Sequence, residues 1–268
     1  MTQYVSNPVN EQGYVAWSEE ENAIWHDLVT RQLSLVQKRA CKEYLRGLEL
    51  LNLPHDRVPQ LPDINKILKR ETGWQVVPVP ALISFDRFFE LLANRCFPVA
   101  TFLRTREEFD YLQEPDFFHE IFGHCAMLTN PQFAHFTHVY GQLGYQADPK
   151  QRAFLARLYW FTVEFGLVNQ DDELKIYGGG ILSSPGETLY ALDSTVPVRA
   201  VFELNTVLRT PYRIDIMQPI YFKLDDISEL YQLSRLDLAS EVEQAMQAGL
   251  YPPLFSPKEQ HSKGSELC

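Results

Sequence analysis

Residues 115–124 read Pro115-Asp116-Phe117-Phe118-His119-Glu120-Ile121-Phe122-Gly123-His124. Two imidazoles and two carboxylates fall within this run, among large apolar side chains. Ionisable groups in such surroundings cost free energy unless they are paired or bound to a metal. Two core histidines donating to backbone carbonyls would be the plain alternative. A pair flanked by acids and closed by a glycine favours a metal. The spacing is H-E-x-x-x-H, one residue longer than the H-E-x-x-H of zinc proteases. At about 100° per residue, i and i+4 lie about 40° apart on a helix, but i and i+5 about 140° apart. On a straight helix His119 and His124 diverge. They converge only if the helix ends or bends, and Gly123 is where that is easiest. The spacing therefore argues against a zinc protease, and against Glu120 as its general base.

Histidine ligands suit zinc, iron, copper and nickel alike. Two histidines and a carboxylate on one face of an octahedron, with positions left open, make the non-haem Fe(II) arrangement. Spacing leaves three acids in play. Asp116 and Glu120 could also serve as helix N-terminal charges. Glu164 lies in Tyr159-Trp160-Phe161-Thr162-Val163-Glu164-Phe165-Gly166, the only acid among large apolar residues, and so needs a strong partner.

Outward from these blocks the chain reads as mainly α with small β elements (α+β), a single domain around a central metal pocket. Residues 1–17 read as a poorly tethered arm, 18–255 as the catalytic domain and 256–268 as a disordered tail. Ser18 and Glu21 form a capping box for a helix running towards Leu50. Asp63 can cap a short helix ended by Gly73. Gln75–Val79 and Val99–Arg104 read as short strands, with Ser84 capping a helix between them. Helices are predicted over 114–128, from Pro131, and from Asp148 to about Val168. Residues 175–181 read as a strand entering a glycine turn, and Ser184 caps a further helix. Residues 212–224 alternate like a hairpin, and Asp226 to Ala248 reads as one amphipathic helix. There is no internal repeat, and the strands do not alternate with helices as in a doubly wound sheet.

The 268 residues carry 17 Phe, 13 Tyr and 4 Trp, which excludes disorder of the chain as a whole. A net charge of −11 argues against a nucleic-acid binder or a polybasic membrane protein and favours small-molecule partners. Four scattered cysteines without a C-x-x-C pair, and no signal-like N-terminus, predict a cytoplasmic protein. His135-x-x-His138 sits on what reads as a packed helical face. Gly178-Gly179-Gly180 lacks the third glycine of a dinucleotide turn, and Cys125 reads as a buried neighbour of His124.

Three blocks in order, residues 115–124, 159–167 and 176–187, resemble the catalytic domain of the tetrahydropterin-dependent aromatic amino acid hydroxylases. The similarity runs over about residues 74–222 and is greatest to single-domain bacterial members that act on phenylalanine. The resemblance implies an iron- and tetrahydropterin-dependent monooxygenase that hydroxylates L-phenylalanine to L-tyrosine with O2, serving phenylalanine catabolism, as a monomer or small homo-oligomer. It implies iron on His119, His124 and Glu164. It implies the substrate's carboxylate on Arg104, with Thr105 and Ser183 beside its head group and Pro115 and Trp160 walling its ring. It implies a pterin, of the tetrahydrobiopterin type, stacked on Phe88, with Leu82 and Ser84 offering backbone groups and Glu120 approaching the ring. Ala126 follows the iron motif where many members carry proline. Leu112 stands where animal members carry threonine, and Phe85 follows Ser84 where they carry a second serine. Tyrosine or tryptophan hydroxylation is the alternative within the family. A metal-dependent hydrolase, or a metal- or amino-acid-binding module, is the alternative outside it.

Overall fold

Capping residues start most of the long helices. In the computed structural model, which describes residues 4–110, 112 and 114–256, Ser18 and Glu21 close the capping box of α1 (Glu19–Val36). Ser84 caps α4 (Phe85–Ala93), and Asn130 caps α6 (Pro131–Gln146). Asp148 and Gln151 box α7 (Pro149–Tyr159), and Ser184 caps α9 (Pro185–Asp193). Each cap satisfies amide groups that the first turn leaves without a partner.

Several boundaries differ from the sequence reading. The first helix does not reach Leu50; it stops at Val36, and α2 (Lys42–Leu51) starts from Cys41. Ala40 there bridges to Ile176, and Cys41 N–H donates to the Ile176 carbonyl, so a strand claims the backbone between the helices. In α3 (Leu61–Glu71) the cap position is Gln60, and Asp63 lies inside the first turn. The second strand runs earlier than predicted: β1 (Gln75–Val79) pairs in parallel with β2 (Cys96–Ala100).

The helix from Asp148 does not reach Val168. Phe165 breaks it, and Gly166 begins β3 (Gly166–Gln170), paired antiparallel with β4 (Glu173–Ile176). Asp171 and Asp172 make their two-residue turn at φ 51° and 62°, a region that Asp tolerates better than most residues. Residues 212–224 form no hairpin. Only β6 (Ile220–Leu224) is a strand, lying parallel between β3 and β5 (Val198–Val201) in the order β4-β3-β6-β5. A central strand is covered on both faces, and the apolar run of β6 is almost wholly buried. The last helix is two, α11 (Ser228–Leu233) and α12 (Leu238–Ala248). Between these lie the short helices α5 (Ala126–Leu128), α8 (Gly179–Leu182) and α10 (Leu204–Arg209).

The N-terminal arm is held along its described length. Tyr4 stacks on Phe102 at 4.8 Å, Asn7 N–H donates to the Thr101 carbonyl, and Val15 is buried. Of the predicted tail 256–268, all but Ser256 lies outside the described residues. Among the described residues no helix is long and apolar enough to cross a membrane. Cys41, Cys96 and Cys125 are free and buried. The core behind the 115–124 block is aromatic: Phe118 stacks on Phe122 at 4.9 Å and meets Trp25 edge-on at 5.7 Å. Burying these rings holds the segment from one side and leaves its histidines on the other.

Candidate active site

Residues His119–Cys125 form a π-helix, π1, and Trp160–Glu164 form a second, π2. A π-helix is bonded i→i+5, so its turn is wider than an α turn and brings a residue five places on back over the first. His119 and His124 therefore share a face without a bend at Gly123. Their Nε2 atoms lie 3.0 Å apart. Gly123 serves a different purpose from the one its position suggested. A Cβ there would stand 2.7 Å from the Gly179 carbonyl oxygen, so its absence lets α8 pack against π1. From the end of π2, Glu164 reaches the same point, with Oε1 3.4 Å from His124 Nε2 and Oε2 3.7 Å from His119 Nε2.

Hydrogen bonding orients the rings. Ser183 Oγ gives its one proton to the Gly179 carbonyl at 2.8 Å, so at 2.9 Å it accepts from His119 Nδ1–H. That assignment leaves the His119 Nε2 lone pair facing His124 and Glu164. Burial pushes the His119 pKa down to about 4, against the pull of Glu164, so the ring is neutral at pH 7. His124 is 1% exposed, and its Nδ1 is buried without a hydrogen-bond partner among the described residues.

The three acids left open by the sequence now separate. Asp116 is committed to Arg104: it accepts from Nε and Nη2, each at 2.9 Å, and from the Arg104 backbone N–H. Burial works to raise its pKa, but the guanidinium and these bonds hold it below the usual range. Glu120 lies near both histidines, within a group whose donor atoms are all within 4.8 Å of one another. Burial, then the nearby Glu164 and Asp116, push its carboxyl well up, which favours the neutral form and weakens it as a ligand. For Glu164 burial also opposes the charge, but His124 and His119 outweigh it and the carboxyl is held down, ionised.

Two imidazole nitrogens and one ionised carboxylate thus converge on one point. Two ligands about 2.1 Å from a common ion, at right angles, stand about 3 Å apart, which is the spacing of the Nε2 atoms. The donor set fits a divalent cation with a facial coordination face.

Two cavities meet at this point, sharing Leu82, Pro115, His119, Trp160 and Glu164. The larger, about 890 Å³, is also lined by Arg104, Ser183 and residues 214–218. The smaller, about 280 Å³, is lined by Phe88, Glu120, Phe97, Tyr159 and Tyr212. Trp160 lies between them, its Nε1–H donating to Gln218 Oε1 and its ring stacked on Tyr212 at 4.5 Å.

Of the sequence-derived substrate and pterin residues, two stand outside both cavities. Thr105 is exposed in a turn and bonded to Glu108, and the Ser84 hydroxyl is spent on the Arg87 amide as the α4 cap. Gln218 and the loop at 214–217 were missed, because residues 212–224 look like a strand in sequence. The decoys stay apart: His135 packs on Tyr231, while His138 faces the Leu92 carbonyl.

Residues 5–252 match the family described as biopterin-dependent aromatic amino acid hydroxylase. The phenylalanine-4-hydroxylase of Vibrio cholerae is 69% identical over 264 residues, covering 98% of this chain and 91% of the relative. The apo structure of the cold active phenylalanine hydroxylase from Colwellia psychrerythraea 34H superposes with a TM-score of 0.92 at 55% identity. It covers 93% of this chain and 97% of that one. The Chromobacterium violaceum phenylalanine hydroxylase with bound oxidised Fe(III) gives 0.86 at 42% identity, covering 94% of each chain.

Proposed function

Because the chain belongs to the biopterin-dependent aromatic amino acid hydroxylases, we propose that it is a phenylalanine 4-monooxygenase, converting L-phenylalanine to L-tyrosine with O2 and a tetrahydropterin. The observation that carries this reading is the meeting of the two cavities at His119, Glu164 and Trp160, where a ring on each side would face one metal position. The names of the full-length bacterial relatives support phenylalanine over tyrosine or tryptophan.

His119, His124 and Glu164 hold Fe(II) in this reading. Bound there, iron would activate dioxygen, with the tetrahydropterin as the two-electron donor.

The chain supplies position and a dry pocket. Ser183 fixes the His119 tautomer, as partners of metal-bound imidazoles do. It acts through the ligand rather than on the amino-acid head group. Arg104 lines the large cavity, and Asp116 sets the plane of its guanidinium. A planar fork suits a carboxylate, so Arg104 takes that of the substrate. Pro115 and Trp160 wall its ring. In the smaller cavity Phe88 offers a stacking face, Leu82 its backbone, and Glu120, held towards neutrality, a donor to a pterin nitrogen or oxygen. Thr105 and Ser84 contribute through the turn and the helix cap that carry their neighbours. We also assign the chain to the cytoplasm, as a monomer or small homo-oligomer.

An aerobic assay with Fe(II), a reduced pterin and equal L-Phe, L-Tyr and L-Trp, read by product mass, tests the reading. Tyrosine as the main early product is expected, with activity lost when zinc replaces iron. Predominant 3,4-dihydroxyphenylalanine or 5-hydroxytryptophan would overturn it.

A further inference from the structure

Gln218 is 1% exposed, and both polar atoms of its side chain are bonded. Its Oε1 accepts from Trp160 Nε1–H at 3.0 Å. Its Nε2 spends both hydrogens on the loop before it, donating to the carbonyls of Arg213 and Ile216 at 2.9 Å each. Trp160 and Ile214, Ile216 and Met217 of that loop line the large cavity together, so one amide is bonded to two parts of its wall. The loop at 213–217 belongs to no helix or strand, and these bonds are what ties its backbone to the ring.

The amide is itself anchored from behind. Gln218 N–H donates to Glu187 Oε1 at 3.2 Å, and the same oxygen accepts from the buried Tyr221 hydroxyl. Glu187 stands in the first turn of α9, its own N–H on the Ser184 cap, and Tyr221 lies in the inner strand β6. Helix and sheet thus hold Gln218, and Gln218 holds the wall. Trp160 also stacks on Tyr212 at 4.5 Å and lies against Phe165 at 4.4 Å. Stacking fixes the plane of a ring but lets it slide and turn within that plane. The bond from Nε1–H fixes the remaining freedom. We propose that Gln218 is a positioning residue that sets the spacing between Trp160 and the 213–217 loop, and so selects the aromatic substrate by ring size, favouring phenylalanine over the wider tryptophan. The proposal rests on the large cavity being the amino-acid site of the proposed hydroxylase. None of the Gln218 bonds goes to a metal ligand.

Steady-state kinetics on the iron-loaded full chain with tetrahydrobiopterin test it, with L-Phe and L-Trp assayed separately. Gln218→Leu keeps roughly the volume and removes the side-chain bonds. The ratio of kcat/KM for L-Phe to that for L-Trp is expected to fall about tenfold, the scale on which pocket contacts discriminate. A smaller share of the pterin oxidised should yield hydroxylated amino acid, because a loosely held ring misses the reacting position. Co(II) affinity, read by competition with a chelator, should stay within about twofold of the parent, since the bonds removed are not to the metal set; this also shows the variant to be folded. Trp160→Phe lacks the indole N–H. In that background Gln218→Leu should change the ratio about threefold less than in the parent, because the link to the ring is already cut. If Gln218→Leu does not fold, Gln218→Asn, one methylene too short to reach ring and loop together, takes its place with the same expectation. An unchanged ratio and unchanged product yield in a variant that binds Co(II), or equal losses in both backgrounds, would overturn the positioning role alone. No hydroxylated amino acid from the parent would overturn it together with the proposed function.

Discussion

Ser183 Oγ donates to the Gly179 carbonyl and in turn accepts from His119 Nδ1, so a serine on the edge of α8 decides which nitrogen of His119 faces Glu164. Removing that acceptor frees the ring to rotate and to change tautomer. Ser183→Ala is expected to weaken Fe(II) or Co(II) binding about 10–100-fold, the range for partners of metal-bound histidines. Competition with a chelator measures it; unchanged affinity would refute the orienting role.

Gly179 touches the other imidazole. A Cβ there would lie 2.4 Å from His124 Nδ1 and Cε1. Gly179→Ala should displace that ring, abolish tight metal binding and destabilise the fold by about 1–3 kcal/mol, as overpacking does. A Cβ at Gly186 would enter open space, so Gly186→Ala is the matched control and should change neither property. Thermal melts and metal titration of the two variants make the comparison.

Glu164 supplies the negative charge of the donor set. Glu164→Gln keeps the shape and removes the charge, and His119→Ala removes a nitrogen. Both should retain the circular dichroism of the parent, because the packed core lies behind π1, and both should lose tyrosine formation. Iron-dependent turnover near the parent rate in either variant would contradict the assignment of ligands.

Asp116 makes stability depend on pH. Its folded pKa lies below its unfolded value of about 3.9, because Arg104 outweighs burial. Its contribution is therefore present above about pH 4 and is lost as the pH falls through the folded value. Asp116→Asn should flatten that part of the stability profile. It should also cost about 3–5 kcal/mol at neutral pH, since the buried Arg104 is left with a weaker partner. Urea unfolding of both proteins between pH 2.5 and 7 separates the two effects, and parallel profiles would refute the pairing.

The parts legible in sequence are those governed by neighbours in the chain. Ser18, Ser84, Asp148 and Ser184 cap helices because a short polar side chain reaches the amide two or three residues on. Glu164 was legible as an isolated acid in an aromatic run. The 212–224 segment was misread because alternation is the same in a hairpin and in a loop followed by a buried parallel strand. The break after Val36 was invisible because the bond from Cys41 goes to Ile176, far along the chain.

From the amino-acid order alone came the residue types of the metal set, the helix starts and the mainly helical class, all set by local hydrogen bonding and hydrophobic spacing. Tertiary structure alone decided that the histidines converge through a π-helix rather than a kink and that Asp116 belongs to Arg104. It also decided which nitrogen of His119 is free. Each of these depends on groups distant in sequence being packed to within hydrogen-bonding or van der Waals reach, and no periodicity along the chain records which distant groups will meet.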